Sequence, residues 1–150
     1  NYFIIHLQQN SCMPYPQGCN LLAEFRRVLK PGGTVRLATL DFAFLVALYN
    51  PQKTTLQQAY LDWSKQQFLP WAPTAEDIYV INNSVRDWGH QFIYDEKAMR
   101  HALSTAGFSD IVRCPLMKSR IEDLRGLENE ARAPGGLVAL ETMVFEAHRS

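Results

Sequence analysis

The residues with the greatest chemical capacity lie in one short run, Trp88-Gly89-His90, with Tyr94 just beyond it. An imidazole titrates near neutral pH, so His90 can act toward a ligand as a base or a hydrogen-bond donor. The competing role is that of a loop histidine bonded to backbone. A helix capped by Asp95 follows this run, so the loop should return over a sheet edge and bring Trp88, His90 and Tyr94 together around a shallow pocket. Just upstream, Asn82, Asn83 and Arg86 can recognise a polar ligand, although asparagine pairs are also ordinary turn chemistry. Asp41 follows a β-rich segment, where a strand end can present it to a substrate. Capping the next helix is its more economical role. No nucleophile–base pair is evident.

Metal chemistry is not expected. His6, His90, His101 and His148 are scattered singly, and Cys12, Cys19 and Cys114 form no C-x-x-C pair. An odd number of cysteines without such a pair suits thiols kept reduced in a cytoplasm. Fifteen basic residues balance fifteen acidic ones without long blocks of either sign, so charge points to no nucleic-acid or membrane partner. The most apolar stretches, Tyr2 to Leu7 and Phe42 to Tyr49, fall far short of the roughly 20 residues that cross a bilayer. No signal peptide is evident. With 150 residues, 47% of them hydrophobic, residues 1–150 should form a single folded domain.

The elements that must position these residues read as an α/β layer structure. Tyr2 to Leu7 is an uninterrupted β-rich run, and MPYPQG after it reads as a proline-punctuated loop. Leu21, Leu22, Phe25, Val28 and Leu29 recur at helical spacing up to Lys30-Pro31-Gly32-Gly33, which stops a helix. Thr34 to Thr39 is then a strand, paired parallel with the first. Helices follow at Phe42 to Tyr49 and Thr55 to Phe68. After Asp95, Met99, Ala102, Leu103 and Ala106 mark a helix closed by Gly107, with Phe108 folding back onto Leu103. Ile111 to Cys114 is a short strand. Residues 119–131 read as one amphipathic helix, with Leu124, Leu127 and Ala131 inward and Glu122, Glu128 and Glu130 solvated. Leu137 to Ala147, apolar on both faces, reads as a central strand.

The run Leu22-Ala23-Glu24-Phe25-Arg26-Arg27-Val28-Leu29-Lys30-Pro31-Gly32-Gly33-Thr34-Val35-Arg36-Leu37, followed by Thr39-Leu40-Asp41, resembles the stretch leading into the fifth strand of class I S-adenosylmethionine-dependent methyltransferases. Asn82-Asn83, Arg86-Asp87-Trp88-Gly89-His90, Phe92-Ile93-Tyr94-Asp95-Glu96, Ala106-Gly107-Phe108 and Leu127-Glu128-Asn129-Glu130 extend the resemblance to a bacterial subgroup of that family. It implies part of a Rossmann-like sheet of about four strands, the fourth to seventh of the family. Their order is 4-5-7-6, the last strand antiparallel, with flanking helices.

The departures from the family pattern bear on activity. The family's donor lies over a glycine-rich turn, where backbone N–H groups approach it closely. Here no G-x-G occurs, and His6-Leu7-Gln8-Gln9-Asn10-Ser11-Cys12 stands where the family tends to carry an acidic–His pair. The resemblance therefore implies a truncated, methyltransferase-like fragment that neither binds S-adenosylmethionine nor transfers methyl groups alone. The alternative is an active enzyme whose cofactor half comes from another chain or from upstream sequence. Asp41, Trp88, His90 and Tyr94 are its candidate residues for a small-molecule ligand. A strand of Tyr2 to Leu7 without its family neighbour, and a helix face of Leu21, Phe25 and Leu29 without its cover, imply a twofold homodimer.

Overall fold

Along β2 (Thr34–Leu40) side chains alternate between two buried layers, so both faces of the strand must be covered. The computed structural model describes residues 2–6 and 12–150, with side chains from residue 12 onward. β4 (Thr142–His148) pairs antiparallel with β2, and β3 (Ser109–Cys114) pairs antiparallel with β4, forming a three-stranded antiparallel sheet with helices around it. β1 (Tyr2–His6) aligns parallel with β2 on the far side, from Tyr2 opposite Thr34 to His6 opposite Ala38. The strand order is β1-β2-β4-β3. Leu7 lies outside the described residues, as do residues 8–11.

One layer is apolar throughout. Val35 and Leu37 of β2 and Met143, Phe145 and Ala147 of β4 pack against α1 (Tyr15–Val28) and α5 (Glu96–Thr105). α1 begins well before the expected point, inside the segment read as a loop. Proline is tolerated in a first helical turn, where its missing N–H has no helical partner, and Pro16 stands there. Leu29 is buried in this core and Phe25 packs against it partly buried, while Leu21 is half-exposed. The last carbonyls of α1 are met by the Arg149 guanidinium, which bonds Arg26 O at 2.8 Å and Arg27 O at 3.0 Å. α5 is capped by Asp95, whose carboxylate accepts from Ala98 N at 2.7 Å. It closes in a Schellman motif, with Phe108 N bonding Leu103 O and Gly107 N bonding Ser104 O.

A second apolar cluster lies beyond the carboxyl end of β2. It joins α2 (Phe42–Leu48), α3 (Thr55–Phe68), α4 (Asp77–Arg86) and α6 (Leu137–Glu141). α3 opens with a capping box in which Thr54 and Gln57 satisfy each other's backbone N–H. α4 runs through the Asn82-Asn83 pair, a pair that is also ordinary turn chemistry. Burial of Val80 and Ser84 against the neighbouring helices overrides that local preference.

Two further expectations are corrected. Residues 119–131 are not one helix: short 3₁₀ turns at Glu122–Leu124 and Glu130–Arg132 flank an irregular stretch in which Gly126 has φ +68°. Glu128 is drawn inward rather than solvated, which an amphipathic helix with an acidic outer face cannot provide. Leu137 to Ala147 is not a single strand either, because its first residues form α6 behind Gly136 at φ +86°. A run apolar on both faces has no period to distinguish a buried helix from a buried strand. No helix among the described residues is long and apolar enough to cross a membrane.

Candidate functional site

Ala38, Thr39 and Leu40 end β2, and Thr142 begins β4 at the same edge, so the two strands open together onto one space. There a cleft of ≈ 510 Å³ is walled by α3, α4, α6 and the loop carrying Glu128, Asn129 and Arg132. Ligands of open α/β sheets bind outside the carboxyl ends of strands, which is where this cleft lies.

One wall is aromatic. Tyr60, Trp63 and Phe68 of α3 continue to Trp88 through ring pairs 5.9, 5.2 and 5.0 Å between centroids, the last two edge to face. Trp88 stands in a tight turn closed by His90 N bonding Asp87 O at 3.2 Å. Both central residues of that turn have positive φ, +62° at Trp88 and +74° at Gly89. A bulky residue in this region is sterically costly and persists only when its surroundings over-determine it. Cys12 supplies part of that constraint, its thiol donating to Trp88 O at 3.3 Å while its carbonyl accepts from Gln91 Nε2 at 3.0 Å. Asn83 supplies more: with its amide oriented to satisfy both neighbours, it accepts from Trp88 Nε1 at 3.2 Å and donates to Asp87 Oδ2 at 2.8 Å.

His90 borders this cleft and a smaller hollow of ≈ 400 Å³ lined by Phe42, Phe92 and Asp95 among others. Its Nδ1 lies 2.5 Å from Ser84 O. A carbonyl only accepts, so Nδ1 carries a proton and Nε2 is the ring nitrogen left to a ligand.

The opposite wall is ionic. Glu141, 6% exposed, accepts from the Tyr60 hydroxyl at 2.5 Å. Its other oxygen lies 2.5 Å from Arg132 Nη1, an ion pair rather than an aligned hydrogen bond. Arg132 Nη2 donates to Thr142 Oγ1 at 2.9 Å. Burial, then the charge of Glu141 and its hydrogen bond, push the Tyr60 phenol far above its ordinary range, so it stays a neutral donor.

Glu128 connects the cleft to a buried ionic group behind it. Arg36, 1% exposed, donates from Nε to Glu128 at 2.8 Å and from Nη1 to Glu146, its cross-strand neighbour, at 2.6 Å. Nη1 also reaches Lys118 O at 3.0 Å, and Glu128 accepts from Met117 N at 2.7 Å. Burial disfavours the Glu128 charge, but the Arg36 hydrogen bond and charge and the Met117 N–H outweigh it, so its carboxyl is held below the usual range.

Trp88 and His90 thus share the cleft, and His90 lies at the same end of the sheet as Asp41. Tyr94 does not join them. Its ring is fully buried against Tyr15 and Phe92, and burial, aided by Cys19 and Tyr15, pushes its phenol up to about 12. Asp41 is likewise outside the cleft lining. It caps α2 by accepting from Ala43 N at 2.9 Å, and its second oxygen accepts from Arg113 at 2.8 Å, so its economical role prevails. Asn82 and Arg86 are exposed, with Asn82 bonded back to Ile78 O. Sequence reasoning missed Tyr60, Trp63, Arg132 and Glu141. The available signal for Glu141 was a single acid inside an otherwise apolar run.

No group of three His, Cys, Asp or Glu side chains suited to a metal occurs among the described residues. Asp41, directly after β2, has both carboxylate oxygens engaged, and Gly89, the positive-φ glycine beside the cleft, follows a helix rather than a strand. Comparison with family models, with curated proteins and with solved structures gives no match.

Proposed function

We propose that this chain is the ligand-binding half of a domain resembling class I S-adenosylmethionine-dependent methyltransferases, and that by itself it takes a small molecule but not the methyl donor. The cleft beyond the carboxyl end of β2, with His90 and Trp88 on its rim, carries the reading. The strand sequence β1-β2-β4-β3, with β4 antiparallel to β2, supports it, because the resemblance implies the order 4-5-7-6 with an antiparallel last strand. Within this proposal an active enzyme requires the glycine-rich half from elsewhere.

The test is calorimetric titration of S-adenosylmethionine and S-adenosylhomocysteine into this chain. The expected result is no micromolar binding; micromolar affinity for either overturns the proposal. Pairing of two copies along β1 belongs to the same reading, since β1 bonds to β2 alone among the described strands and an open edge templates pairing. Light scattering should give a dimer mass, and a monomer at micromolar concentration removes that part.

A further inference from the structure

We propose that the cleft recognises a ligand with a protonated amine beside a flat aromatic ring, the ammonium lying on Glu141 and the ring against Trp63 and Trp88. The inference rests on the cleft being a ligand site, as argued above, and adds the chemistry of the ligand.

The charges come first. Arg132 offsets Glu141, whereas behind the cleft one guanidinium, Arg36, faces two carboxylates, Glu128 and Glu146. One negative charge is left without a partner of its own in these pairs, and a site of that sign favours a cation over an anion. The Glu141 oxygen facing Arg132 is buried beneath that guanidinium and has no aligned hydrogen bond, so it is available to another cation once Arg132 moves aside. Arg132, the cation an anionic ligand would need, has both terminal nitrogens engaged, by Glu141 and by Thr142.

The aromatic wall meets the same demand, because ring faces carry the negative part of the quadrupole and attract an ammonium or stack on a flat ring. Trp88 is 57% exposed and Trp63 is half-buried, so both offer surface to a ligand. Arg132 shows where the ligand's cation belongs. It stands at the end of a single 3₁₀ turn, exposed, with its guanidinium on Glu141, and serves as a chain-borne cation that an incoming amine displaces.

The test titrates the full chain with phenethylamine, 3-phenylpropionate and 2-phenylethanol, read by tryptophan fluorescence and by amide shifts at Ser84 and His90. The amine is expected to bind about tenfold more tightly than either of the others. Glu141→Gln should weaken it by about tenfold, with a thermal melt to verify folding. Arg132→Met, at an exposed position, should tighten amine binding several-fold by removing the competing cation. Weakened amine binding in Arg132→Met overturns the inference, as does preference for the carboxylate. Equal binding of amine and alcohol leaves the cleft a ligand site but removes the amine assignment, whereas no shift at Ser84 or His90 with any of the three removes both readings.

Discussion

On one face of β2, Val35 and Leu37 meet Phe145 and Ala147 under two helices in a closed apolar core. On the other, Arg36 meets Glu146 and Glu128 under an irregular loop, and the space continues into an open cleft. Equal burial is reached by different chemistry. The apolar face tolerates imprecise geometry, because dispersion and hydrophobic burial are non-directional. The ionic face requires each partner, because a buried charge left alone is costly. That requirement fixes the loop that forms one wall of the cleft. The Arg36–Glu128 and Glu128–Met117 bonds hold it without any helix of its own.

Breaking the ionic face from its centre should have the largest effect. Arg36→Met leaves Glu128 and Glu146 buried without their cation, and chemical denaturation should show a loss of about 3–5 kcal/mol. Both cleft tryptophans should become more accessible to an added quencher as the loop loosens. Leu37→Ala, on the apolar face, should cost about 2–4 kcal/mol by cavity formation. It should leave amine binding to the cleft unchanged, and altered binding would mean that the two faces are not independent.

Glu128→Gln sharpens the comparison through pH. The folded-state pKa of Glu128 lies below its unfolded value, so its stabilisation is full above the ordinary carboxylate range and is lost as pH falls through the folded pKa. The glutamine variant should be less stable at neutral pH by about 1–3 kcal/mol and show a flatter acid limb in melting temperature against pH. An unchanged acid limb would transfer that role to another carboxylate. Trp88→Gly should have the smallest effect on stability, under about 1 kcal/mol, because relief of the positive φ offsets the lost ring packing. Phenethylamine binding should nevertheless fall by about tenfold, since the rim loses its most exposed ring.

Much of the frame was legible in the chain because it is set by local pattern. Thr55–Phe68 forms the expected helix, and the Asp95 cap and the Gly107 stop fall where capping chemistry places them. Asp41 was legible as a cap. The site was legible only in part: Trp88 and His90 reach the cleft, while Tyr94 turns into the core and Asp41 is held by Ala43 and Arg113. An aromatic residue near a polar run has no local feature that decides which side of the sheet it joins.

What the sequence by itself determined is the succession of strands and helices wherever periodicity, caps and stops act within a few residues, since those forces need no distant partner. What only the tertiary structure decided is every outcome that depends on contact across the chain. Glu128 lies 92 positions from Arg36, yet it is the guanidinium that turns a residue suited to a solvated helix face into a buried loop anchor. Glu141 lies 81 positions from Tyr60, and the hydroxyl that holds it there makes it a wall of the cleft. Both carboxylates are charged in any reading of the sequence. Where each charge is compensated is settled by packing, because the cost of burying it falls only when the partner has been brought within reach.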